Sequence, residues 1–155
     1  MSAELELSIE RVLEAPVAAV WRAWTDHLAE WWCPRPWTTE VRALEFRPGG
    51  RFDTVMRGPD GEEHAGEGVV LEVVPERRLV FTNALHRDWQ PQSPAPVAMV
   101  GVFEFSPDGD RTRYRAAARH WTAEACDAHA AMGFEEGWGA VAGQLEAVAQ
   151  RVAAG

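Results

Sequence analysis

The segment TRYRAAARHW, residues 112–121, sets a phenol and an imidazole on one strand-like run. A period of two places Tyr114, Ala116, Ala118 and His120 on one face. Arg113, Arg115 and Arg119 take the other face and belong in water. The alanine face therefore points inward, where small side chains leave room for a cavity. Tyr114 and His120 would bring polar groups into that space and orient a bound molecule. His120 could also act as a general acid or base, given a substrate in hydrogen-bond reach. The bland alternative is a buried histidine satisfied by protein partners. Glu67 lies between Gly66 and Gly68. It shares the inward face if Val69, Leu71 and Val73 point inward, and it is exposed if a bulge at the glycines breaks that parity.

Other residues suit a wall better than a reaction. The run LAEWWCPRPW, residues 28–37, holds three tryptophans within seven positions. Trp31 and Trp32 diverge by about 100° if helical, so both cannot face one cavity. Trp32 is the candidate for ligand contact, with core filling as the alternative. Phe52, Thr54 and Met56 share one face of a strand, a mixed and adaptable lining. In the run VGVFEF, the charge of Glu104 turns Phe103 and Phe105 inward. Phe134 and Trp138 accompany Gly133 and Gly137 in a helical pattern. Two glycines inside a helix cost about 1 kcal/mol each, so close packing or room for a ligand must compensate. His27, His86 and His129 read as surface residues. Cys33 and Cys126 lack a basic setting and read as inert thiols. No Ser-His-Asp order, HExxH, phosphate-binding loop or dinucleotide fingerprint is present, so no catalytic residue, metal ligand or cofactor is assigned.

Bulk properties narrow the partners. The chain has 155 residues and a net charge of −9, with arginine as its sole basic residue besides histidine. Nucleic acid and anionic membranes need clustered positive charge, so neither is an expected partner. No apolar run approaches the roughly 20 residues of a membrane helix. The N-terminal residues lack a signal-peptide pattern, and a reduced, cytoplasmic protein is expected.

The elements that must position these residues follow from patterning. Residues 5–13 alternate as a strand. Pro16 opens a short helix over about 16–25, and Thr25 or Asp26 could cap a second over about 26–32, stopped by Pro34 and Pro36. Strands are expected over 41–46, 51–57, 64–74, 78–85, 97–105 and 112–121. Residues 86–96 carry three prolines and read as a loop. The last element, 122–153, reads as one long helix capped by Thr122, with Ala130, Phe134, Trp138, Val141, Leu145 and Val148 on one face. Short turns between successive strands predict an antiparallel meander. Its apolar face must be covered, and the C-terminal helix is the only element long enough. The result is an α+β, single-domain protein over residues 1–155. A space between sheet and helix is the natural ligand site.

Five stretches in order carry a resemblance: EAPVAAVWRAWTD, LAEWWCP, FRPGGRFDTVMRGPDG, GVVLEVVPERRLVFT and GFEEGWGAVAGQL. Over about residues 5–150 the chain resembles the bacterial single-domain relatives of the Hsp-90 ATPase activator. These belong to the START and birch-pollen-allergen superfamily, also called SRPBCC. The resemblance implies a helix-grip fold, a curved antiparallel sheet wrapped around a long C-terminal helix. It also implies binding of small apolar molecules, although the superfamily spans carriers, receptors and cyclases. Relatives commonly show Trp-Trp-Gly-Pro where this chain has Trp31-Trp32-Cys33-Pro34, which alters the turn at the cavity rim.

The leading expectation is binding of a small apolar or aromatic ligand by a monomer or homodimer. Trp32, Phe52, Thr54, Met56, Phe103, Tyr114, Ala118, His120, Phe134 and Trp138 form the candidate site. Two alternatives stand beside it: a cyclase, dehydratase or hydrolase acting in the same cavity, and a partner that activates a chaperone ATPase.

Overall fold

Alternating and helical periodicities resolve into nine strands and three helices among the described residues, 5–93 and 97–155, of a computed structural model. β1 (Glu6–Leu13) leads into α1 (Val17–Asp26) and a single 3-10 turn (Leu28–Glu30). β2 (Thr38–Leu44), β3 (Arg51–Arg57), β4 (Glu63–Val74) and β5 (Arg78–Thr82) follow. A small hairpin of β6 (Leu85–His86) and β7 (Gln90–Pro91) precedes β8 (Val100–Asp108) and β9 (Arg111–Arg119). The chain ends in α2 (Ala123–Ala131) and α3 (Phe134–Ala154).

The main sheet has seven antiparallel strands in the order β1-β9-β8-β5-β4-β3-β2. Apart from β1, which returns beside β9, neighbours follow chain order with β6 and β7 set aside. This is the expected meander, and with α3 across it the fold is α+β helix-grip. The inward pairs of β8 and β9 differ in bulk along the ladder. Phe103 faces Ala116, Phe105 faces Tyr114, and Gly101 faces Ala118. Gly101 has a steric reason: a Cβ there would sit 2.6 Å from the Phe81 ring. The outer face carries a small apolar cluster of Val80, Val102 and Ala117. Around it runs a ladder of ion pairs, Glu72–Arg78–Glu104–Arg115–Glu6–Arg119. Burial alone would raise the Glu6 carboxyl, but hydrogen bonds from Arg119 and Arg115 hold it below its ordinary value.

The core lies between the sheet, α1 and α3. Val20, Ala23 and Trp24 of α1 are buried against Leu145, Val148 and Ala149 of α3. Burying a side chain of this kind contributes roughly 1.5–3 kcal/mol. No helix among the described residues is long and apolar enough to cross a membrane.

The structure departs from the sequence expectations in five places. The second short helix over 26–32 is only a 3-10 turn, and neither Thr25 nor Asp26 caps it. The turn is instead pinned from above, where Trp31 Nε1 donates to the Ala23 carbonyl at 2.9 Å. The long helix over 122–153 is two helices. Thr122 does cap the first, its Oγ1 accepting from the Ala125 amide at 3.0 Å. Gly133 then adopts φ +90°, a left-handed conformation that ends α2 and redirects the chain into α3. With the helical phase reset there, Ala130 turns to solvent and His129 is buried, opposite to both expectations. The strand edges also move: 41–46 becomes 38–44, 78–85 ends at Thr82, and 97–105 becomes 100–108. The loop over 86–96 holds the short hairpin, and its residues 94–96 lie outside those described, as do residues 1–4 of the N-terminal reading. Finally, the bulge in β4 falls at Leu71, between the pairs Val70–Phe81 and Glu72–Val80. Val70 and Val73 therefore join the inner core, whereas Leu71 packs with the outer cluster.

Candidate functional site

A cavity of about 560 Å³ opens between the sheet and α3, within the usual range of small-molecule pockets. Its floor is built from strand registry. Phe52 pairs with Gly68, Thr54 with Gly66, and Met56 with His64. Paired residues share a face, so the glycines of β4 add no side chain to that face. A Cβ at Gly66 would meet nothing within 4 Å. Gly66 therefore marks open floor, whereas Gly68 marks a close backbone approach, since a Cβ there would sit 2.7 Å from the Thr82 carbonyl; neither is the bulge considered above.

The walls are aromatic. Phe52 stacks on Phe81 at 4.4 Å between centroids, Phe81 on Phe103 at 6.0 Å, and Phe103 on Trp138 at 5.9 Å. The interplanar angles are 10°, 11° and 9°, so four near-parallel rings run from β3 across the sheet to α3. Trp32 closes one end at a tilt, 5.3 Å from Phe52 and 6.1 Å from Phe103. Trp31 is buried against Trp24 and also borders the cavity. Both tryptophans thus meet the space, contrary to the divergence expected of a helix, because Trp31 has left helical geometry at φ −143°. Trp37 stacks on His64 outside both.

α3 supplies the roof through Phe134, Gly137, Trp138, Val141 and Ala142. A Cβ at Gly137 would meet nothing within 4 Å. Of the two helical glycines expected to need compensation, Gly133 is a helix terminus and Gly137 leaves space above the floor.

Besides Thr54 and His64 of the floor and Glu67 at the rim, polar groups reach the cavity at three places. Tyr114 is buried, and its Oη accepts a hydrogen bond from Trp24 Nε1 at 3.2 Å. Burial drives the phenol pKa far up, with the Trp24 bond pulling weakly the other way, so the hydroxyl stays protonated. Its own proton has no acceptor among the described residues. At the mouth, Asn83 and Gln92 are held by backbone. Gln92 Nε2 donates to the carbonyls of Glu67 and Asn83, and Asn83 Nδ2 to that of Val97. The third group is His129, on α2. Its Nδ1 meets His120 Nε2 at 2.8 Å, and its ring packs edge-on to Phe134 at 5.2 Å. Burial first, then the neighbouring His120, lowers the His129 pKa to about 4.

Eight of the ten candidate residues line this cavity: Trp32, Phe52, Thr54, Met56, Phe103, Tyr114, Phe134 and Trp138. Ala118 and His120 do not. They lie at the end of β9 beyond the cavity, where α2 folds over. Ala118 is buried between Leu7 and Gly101. His120 directs Nδ1 to the Leu5 carbonyl at 2.9 Å and Nε2 to His129, so neither ring nitrogen is left for a substrate. Glu67 is exposed at the rim, near His86 at 3.4 Å. Cys33 is buried, with Sγ 3.0 Å from Thr39 Oγ1, and burial raises its thiol pKa. Its backbone φ is not positive, so the Cys33-Pro34 turn forms without glycine.

Sequence reasoning missed His129, Asn83 and Gln92. The signal for His129 was the Met132-Gly133 pair, a helix C-terminus that resets which residues face inward. Asn83 and Gln92 had none, because their partners are backbone carbonyls set by tertiary structure. No cluster of three or more metal-ligating side chains occurs among the described residues.

Comparison with known proteins agrees with this architecture. No curated protein matches the chain. Among solved structures, protein NE0264 from Nitrosomonas europaea superposes with a TM-score of 0.91 at 40% identity, covering 97% of each chain. Protein Ms6760 from Mycobacterium smegmatis gives 0.78 at 28% identity, covering 96% of this chain and 92% of its own. A protein from Arthrobacter aurescens gives 0.83 at 26%, covering 96% and 88%. The family model described as "Activator of Hsp90 ATPase homolog 1-like protein" matches residues 14–150. The chain belongs to that family, within the SRPBCC type of helix-grip proteins.

Proposed function

We propose that this protein binds a small, flat, apolar molecule, aromatic in character, in the cavity between the sheet and α3. The observation that carries the reading is the combination of an open 560 Å³ space with near-parallel aromatic walls. Aromatic rings bury large area and favour stacked or edge-on partners, so a planar ligand gains most there. Trp32, Phe52, Phe103, Phe134 and Trp138 supply the contact area. Tyr114 offers its hydroxyl proton to an acceptor on the ligand. No arginine lines the cavity among the described residues, which disfavours a carboxylate-headed ligand.

The enzyme reading rested on His120 or Glu67 as acid or base. His120 has both ring nitrogens engaged, and Glu67 is exposed at the rim, so neither supports it.

The test is an amide NMR titration of the protein with aromatic and fatty-acyl compounds. The reading expects saturable shifts confined to β3, the Phe103 and Tyr114 region and the start of α3, with aromatic compounds preferred. Absence of specific shifts across the panel would contradict it and redirect attention to a protein partner.

A further inference from the structure

Hydrogen-bond logic sets the tautomers of the His120–His129 pair when both rings are neutral. A carbonyl oxygen only accepts, so the 2.9 Å contact to Leu5 O puts a proton on His120 Nδ1. In neutral His120 the other nitrogen, Nε2, then carries a lone pair. Across the 2.8 Å contact it must accept, so His129 Nδ1 carries the proton. His129 in turn presents Nε2 as a bare lone pair. That nitrogen has no partner among the described residues, and the ring belongs to the cavity wall beside Phe134 and Trp138. The chain Leu5 O, His120, His129 thus delivers an oriented acceptor to the cavity, beside the aromatic rings of Phe134 and Trp138. Nε2 is not among the sealed, unpartnered polar atoms of the described residues, so it is open to the space and a ligand donor can reach it.

We propose that His129 Nε2 is the anchoring acceptor of the cavity and that the ligand is a neutral aromatic hydroxyl compound, a phenol or enol, whose O–H donates to it. This rests on the cavity reading above and adds the functional group. His120 is a positioning residue: it touches no ligand and sets the tautomer and angle of His129. A carboxylate would meet the same lone pair as a repelling neighbour, whereas a phenol places its ring among the stacked aromatics and its proton on nitrogen.

The test uses 2-naphthol, its ether 2-methoxynaphthalene, and 2-naphthoate as probes of the wild-type protein, by calorimetry at pH 7.5. The ether fills the same space but has no proton to donate. The expected result is naphthol binding about tenfold tighter than the ether, the ratio that one neutral hydrogen bond supplies, and naphthoate weakest. In His129→Leu the naphthol preference should vanish while ether binding persists. Equal affinity of naphthol and ether in the wild type overturns the inference and leaves the cavity reading standing. Failure of both to bind overturns the cavity reading, and this inference with it. Should His129→Leu not fold, long-range 1H–15N correlation on the wild type decides. Protons on Nδ1 of both rings, with His129 Nε2 moving upfield on naphthol addition, support the proposal. A proton on His129 Nε2 in the free protein overturns it.

Discussion

Single residues in this protein carry assignments that only their three-dimensional partners decide. His129 is the clearest case. Its folded pKa, about 4, lies below the ordinary histidine value of about 6.5. Between those values the unfolded chain binds more protons than the folded one. Stability from this group is therefore complete above about pH 6.5 and lost as pH falls toward 4. The expected loss is about 2 kcal/mol between pH 7 and pH 4.5, read from urea midpoints, and His129→Gln should flatten that dependence. Tyr114 carries a second expectation. Tyr114→Phe leaves the Trp24 indole N–H without its acceptor in the core. It should lower stability by about 1–2 kcal/mol, seen as a lower urea midpoint with unchanged slope. Strand residues such as Phe52, Thr54, Met56 and Tyr114 were legible because a period of two fixes their face whatever they touch. His129 was not, since its burial depends on where the preceding helix stops.

At the scale of elements, the antiparallel meander was legible from alternation and turn residues. The pairing of Phe103 with Ala116 and of Phe105 with Tyr114 follows from one hairpin, turned at Gly109-Asp110 between the paired residues Asp108 and Arg111. Two irregularities were not legible. The bulge at Leu71 hides in the run VVLEVV, where Glu72 points to one phase as outward but no residue marks the shift that sends Leu71 out with it. The break at Gly133 hides in a sequence that stays helix-compatible on both sides. That break gives a direct expectation. Gly133 has φ +90°, and a Cβ there meets no neighbour, so the penalty of a side chain is conformational alone. Gly133→Ala should lower stability by about 1 kcal/mol, measured by thermal or urea unfolding. If α2 and α3 were one continuous helix, the same substitution would stabilise by a similar amount.

Across the whole molecule, a seven-stranded sheet, a long covering helix and a few missing side chains leave a space that the protein does not fill itself. Sheet and helix were legible from pattern. The space was only hinted at, by alanines in β9 and glycines in β4 and α3, because an absence of side chains reads equally as close packing. Gly101 and Gly66 show the two outcomes: a Cβ on the first collides with Phe81, and on the second meets nothing. Gly137 belongs with Gly66, and it allows binding to be separated from folding. In α3, Gly137→Leu should stabilise the protein by up to about 1 kcal/mol through helix propensity, while its side chain enters the cavity. The most direct measurement is the affinity of wild type and Gly137→Leu for 2-naphthol, with urea midpoints taken on both. The account predicts saturable binding to the wild type and loss of at least most of it in a variant as stable or more stable. Equal binding by the two proteins, or none by the wild type, would contradict it.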